Sequence, residues 1–78
     1  MQKASLTMSQ EEYKHYLLGQ LEVAKEKGRK GVFKINLHIP DATAKYVVKY
    51  FTDNPNYRVE SRKCAGCRNV WDIFIFFN

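Results

Sequence analysis

Residues 70–77 read Val-Trp-Asp-Ile-Phe-Ile-Phe-Phe, and Asp72 is the only polar residue among them. A nearly unbroken apolar run of strand length suits a central strand, buried on much of both faces. Upstream, Tyr57–Lys63 alternates as a strand, and Cys64-Ala65-Gly66-Cys67 lies between the two runs. This reads as a hairpin with Asn69–Phe77 as its return strand, and Gly66 supplies the positive φ of the turn.

Before the hairpin, Asn54-Pro55-Asn56 ends a helix predicted over Ala42–Asp53, since proline disfavours helix in the residue before it. Asp41 is its expected cap. Its inward stripe is Ala44, Val47, Val48 and Phe51, with Lys45, Lys49 and Thr52 facing water. Before Pro40, Val32–Ile39 alternates as a second strand. Phe33, Ile35, Leu37 and Ile39 fall on one side, and Val32, Lys34, Asn36 and His38 on the other.

The first element is a helix. Ser9 and Glu12 fit a capping box, with Thr7 a rival cap, and Tyr13, Leu17, Leu21 and Ala24 recur at helical spacing. Glu22 and Glu26 have Lys25 and Lys30 in reach to support the exposed face. Gly28 and Gly31 are stop signals. Gly19 weakens the helix by up to ~1 kcal/mol and gives room for another backbone to approach.

The order is α-β-α-β-β, an α+β fold. The strand-helix-strand unit leaves its two strands parallel. The most apolar strand belongs between them, antiparallel to both. This predicts a three-stranded mixed sheet in the order first, third, second strand, with both helices on one face. They would pack on Phe33, Ile35, Leu37, Val59, Trp71, Ile73 and Ile75. Residues 1–78 make one domain, with 1–7 a flexible arm.

Two helices on one side leave the other side of the sheet open. The alternation assigns it Lys34, Asn36 and His38, then Arg58, Glu60 and Arg62, then Val70, Asp72, Phe74 and Phe76. Aromatics among basic side chains fit stacking on single-stranded nucleic acid. The same apolar patch fits a protein interface, either a homodimer or a docking site. A third reading has the N-terminal arm covering Phe74 and Phe76. Arg58, Arg62, Lys63 and Arg68 surround the hairpin, whose tip fits a phosphate backbone or serves as a charged edge that prevents aggregation. Lys25, Lys27, Arg29, Lys30 and Lys34 form a second basic stretch, read as a solvated helix end.

At 78 residues the chain buries a small core, which disfavours a deep catalytic cleft. Thirteen basic against eight acidic residues give a net charge of +5, compatible with an anionic partner. No catalytic constellation stands out: Glu60, Asp72 and His38 share the open face, where salt bridges to Lys34, Arg58 or Arg62 are the expected arrangement. Cys64 and Cys67 make one CxxC, half of a zinc site, and are the weak metal candidates. The expectation is a turn, with no metal or other cofactor. A disulfide would form only on oxidation. No signal sequence or membrane-spanning run is present, and the two cysteines suit a reducing compartment, so the expected location is cytoplasmic.

The stretches "GVFKINLHI", "KYFTDNPNYRVESR" and "VWDIFIFF", preceded by a charged helix, resemble in layout the small accessory proteins of tailed-bacteriophage early regions. That resemblance implies a non-enzymatic protein of the host cytoplasm with a macromolecular host partner. A basic hairpin after a strand-helix-strand unit is also similar to Alba-like chromatin proteins, whose leading strand would here be Lys3–Thr7. The expected function is therefore binding through the open sheet face and the basic hairpin, by Lys34, Arg58, Arg62, Lys63, Arg68, Phe74 and Phe76. The partner is a host protein or nucleic acid, homodimerisation is possible, and no membrane is involved. The alternative is direct nucleic-acid binding by the same residues.

Overall fold

The computed structural model describes residues 9–78. The expected arm over residues 1–7, the rival cap Thr7 and the alternative strand Lys3–Thr7 lie outside the described residues. Helix α1 spans Gln10–Glu26, strand β1 Gly31–His38, helix α2 Asp41–Thr52, strand β2 Tyr57–Lys63 and strand β3 Val70–Phe77.

The sheet order is β1-β3-β2, as the apolar character of β3 requires. Both hydrogen-bonded pairings are antiparallel. The parallel relation is confined to the two outer strands, which do not touch, so the sheet is antiparallel by its bonds.

Helix α1 begins with the expected capping box. The Glu12 amide donates to Ser9 Oγ at 3.1 Å, and the Ser9 amide donates to Glu12 Oε1 at 2.9 Å. Two donors left orphaned by the first turn are thereby satisfied. The helix stops where Gly28 takes φ 73°, a conformation costly for residues with a Cβ. Tyr13, Leu17, Leu21 and Ala24 are all buried, as their spacing requires. The ion pair on α1 forms between Glu11 and Lys14 at 3.0 Å, with the exposed His15 imidazole 3.6 Å from the same carboxylate, and not at Glu22 or Glu26 among the described residues.

In α2, Thr43, Ala44, Val47 and Phe51 are buried and Val48 is half-buried. The helix starts one residue earlier than expected, and Asp41 is not its cap. Pro40 occupies the cap position without a side-chain bond. The Asp41 carboxylate instead accepts the Trp71 indole N–H at 2.9 Å and pairs with Lys63 at 2.6 Å. One acidic side chain therefore ties the start of α2 to β2 and β3. The Lys63 ammonium, then the indole N–H, holds its carboxyl below the ordinary carboxylate value.

Both helices cover the same face of the sheet. Trp71, Ile73 and Ile75 point into the core there, with Val32, Ile39, Leu17, Leu21, Val47 and Phe51. Gly31 proves to be the first residue of β1 and not a helix stop. A methyl at that position would overlap the Ile75 carbonyl, so only glycine lets β1 close on β3 there.

Strand β1 departs from its expected phase. Val32 lies opposite Ile75 and Lys34 opposite Ile73, which puts both on the helix face; Phe33 lies opposite Phe74. Phe33 and Ile35 are therefore 48% and 67% exposed. Between Lys34 and Leu37 the register shifts by one residue. Asn36 makes that bulge, with φ 55° and its amide donating to Asp72 Oδ1 at 2.9 Å. The extra residue reverses the alternation, so Leu37 and Ile39 return to the core side as expected. No helix among the described residues is long and apolar enough to cross a membrane.

Candidate binding face

The open face of the sheet is built from all three strands. Strand β3 sends Phe74 and Phe76 to it, because Ile73 and Ile75 take the opposite parity into the core. Strand β2 adds Arg58, Glu60 and Arg62, whose partners across the ladder are Phe76, Phe74 and Asp72. The bulge at Asn36 adds Phe33 and Ile35 from β1.

Phe33 sits over both β3 phenylalanines, with ring centroids 5.2 Å from Phe76 and 6.1 Å from Phe74. Tilted aromatic pairs at this separation are mutually favourable. The result is a cluster of three rings with Ile35 beside it, and nothing among the described residues covers it. Arg58 lies over this cluster, its guanidinium carbon 4.1 Å from the centre of the Phe76 ring.

The charges on this face are paired among themselves. Arg58 reaches Glu60 at 2.6 Å, and Arg62 approaches Asp72 at 3.7 Å. Asp72 thus pairs with Arg62 across the strands, as expected, whereas Glu60 pairs with Arg58 along β2 itself. Asp72 also receives the Asn36 amide, so its carboxylate holds the bulge and an arginine together.

Of the seven residues assigned to binding by sequence, Arg58, Arg62, Phe74 and Phe76 come together on the open face. Lys34 does not. The bulge places it on the helix side, where its ammonium stands 5.5 Å from the Tyr16 ring centre. Lys63 does not either, since it shares the helix-side parity of Trp71 and is bonded to Asp41. Arg68 is exposed at the hairpin tip, away from the aromatic cluster. Conversely, Phe33 and Ile35 were read as core, and they supply the most exposed apolar surface of the site.

At the hairpin tip Cys64 and Cys67 form a disulfide, with Cα atoms 5.3 Å apart. Gly66 takes φ 77° in the turn, as expected. The pair is thus joined, where the sequence suggested thiols kept reduced. Among the described residues, no three metal-ligating side chains converge. Comparison with known proteins lends the chain no family: no family model, no curated protein and no solved structure matches it.

Proposed function

We propose that this chain is a non-enzymatic binding protein that docks on a protein partner through the open face of its sheet. The observation that carries this reading is the exposed cluster of Phe33, Phe74 and Phe76 with Ile35, ringed by arginines already paired with acids. Contiguous exposed apolar surface of this kind marks interaction sites. Paired rim charges cost little to bring against another protein, and they contribute mainly orientation.

The same pairing weighs against nucleic acid. Glu60 and Asp72 offset the positive charge a phosphate backbone would need. Arg58 occupies the Phe76 ring face on which a base would stack. The layout shared with bacteriophage accessory proteins suggests a bacterial host protein as the partner.

The test is site-specific photo-crosslinking in a bacterial host lysate. A benzoylphenylalanine at position 74 is expected to trap one protein species, and the same group at Lys45 on the outer side of α2 is expected to trap none. Phe74→Asp should abolish capture by a crosslinker at position 33 while leaving the far-UV spectrum unchanged. Crosslinks to nucleic acid, or equal capture from both positions, would overturn the reading. A second copy of the chain trapped at position 74 would identify the face as a homodimer interface instead.

A further inference from the structure

We propose that the outer edge of β1 is a second docking site, which takes an extended acidic peptide as a fourth strand of the sheet. Among the described residues strand β1 pairs with β3 alone, and no strand among them lies along its other edge. Edge strands of this kind are templates for added strands, and proteins usually blunt them with charge, as the Glu-Ser-Arg-Lys run of β2 does on the opposite edge.

Beside the β1 edge runs a groove of about 870 Å³ between β1 and α1. Tyr16, Val23 and Val32 line its apolar part, and Gly19 leaves it open because no side chain projects there. Lys27, Arg29, Lys30 and Lys34 also line it. None of these four cations has an acid within ion-pair distance among the described residues. The contrast with the paired arginines of the open face is direct. Both faces of β1 also carry information. Lys34 lies on the helix side, with Phe33 and Ile35 on the open side.

A strand added here alternates between the same two environments. The chemistry that fits is an alternating sequence, with acids against the lysines and apolar residues extending the Phe33–Ile35 surface. A nucleic-acid strand would satisfy the cations but leave the carbonyl groups of the edge without donors. A second copy of this chain would bring the same cations together along the edge. Residues 1–8 carry Lys3 and no acid, so they lack the complementary charge.

The site borders the open face at Phe33 and Ile35 but is set by the strand edge and its cations, and the test distinguishes the failures of the two readings. The full chain is titrated into three fluorescein-labelled probes: a ten-residue Glu-Val repeat, a ten-residue Lys-Val repeat and a ten-nucleotide oligothymidylate. The Glu-Val peptide is expected to bind best, more weakly as salt rises, and to slow hydrogen exchange of β1 amides. Lys27→Glu combined with Lys30→Glu changes two exposed residues outside the core. It should weaken the Glu-Val peptide about tenfold and improve the Lys-Val peptide. Phe74→Asp, which breaks the open-face site but leaves the β1 edge and its cations in place, should weaken Glu-Val binding less than the Lys27/Lys30 double change does. No Glu-Val binding at low salt, tighter binding of either other probe, or binding without β1 protection would each overturn the proposal. Self-association that protects β1 without peptide would overturn it as well.

Discussion

The two faces of this sheet share one central strand and have opposite fates. On the helix side Ile73 and Ile75 are 1% exposed, sealed by residues from both helices. On the other side their immediate neighbours Phe74 and Phe76 are half-buried, with the Phe33 ring and the Arg58 guanidinium against them. The apolar content is similar on both sides. The difference is that helices close one surface and nothing among the described residues closes the other. Hydrophobicity on the closed side holds the fold, and on the open side it is available to a partner.

The sharpest way to break this contrast is to truncate adjacent residues of β3. Ile75→Ala should cost about 2–5 kcal/mol, because the closed core cannot collapse into the space left. Phe74→Ala should cost only about 1 kcal/mol, the scale of one cross-strand pair, while removing the docking surface. Urea denaturation of both variants measures the difference. Equal costs would mean the open face is as much a part of the core as the closed one.

The bulge that brings Phe33 and Ile35 outward is the next target. Asn36→Val places a branched side chain in a left-handed conformation and should cost about 1–2 kcal/mol. Asn36→Gly should be close to neutral, since glycine takes positive φ freely. Thermal melts would separate the two variants by roughly 4–8 °C per kcal/mol for a domain of this size.

On the closed side, one group is out of keeping with its surroundings. The Tyr13 hydroxyl is buried and has no hydrogen-bond partner among the described residues. Burial, and then the neighbouring Tyr16, keep its phenol well above the ordinary value, so it stays neutral. Tyr13→Phe should therefore stabilise the protein, by about 1 kcal/mol, because no bond is lost with the hydroxyl. A lower melting temperature would show that the hydroxyl is satisfied in solution.

The smallest effect is electrostatic. Asp41 has a folded-state pKa below its ordinary value of 3.8, so its contribution is present above that value and fades as pH falls through the lower one. Asp41→Asn should lower stability near neutrality and converge with the parent protein in strong acid. The single tryptophan, Trp71, bonded to this carboxylate, reports the step by fluorescence.

The same contrast explains what was legible in the sequence. The closed side was readable because β3 is apolar throughout and α1 carries both a capping box and a regular stripe. Strand β2 kept one register along its length, so Arg58 and Arg62 were placed correctly. Strand β1 was misread in its first half because its apolar residues share one parity from Phe33 to Ile39. A single inserted residue splits that set between the two faces. The signals were Asn36, a residue tolerant of positive φ, and Asp72, a lone acid in an apolar strand that receives its amide. Neither residue alone identifies a bulge. The Lys63–Asp41 pair is illegible for another reason. In sequence Asp41 reads as a helix cap, and only the tertiary contacts with Trp71 and Lys63 reveal where that carboxylate goes.

The position of β3 has a consequence for how the molecule is made. Among the described residues it follows the other four elements in sequence, and both other strands pair with it alone. During synthesis β1 emerges about 40 residues before β3 is complete, roughly 2–8 s at ordinary elongation rates. Throughout that interval β1 and β2 lack β3 to pair with, and the inward faces of both helices lack its side chains beneath them. The nascent chain then presents Val32, Phe33 and Ile35 to the cell as an unpaired apolar strand. Its vulnerability to aggregation is greatest before the final eight-residue strand appears.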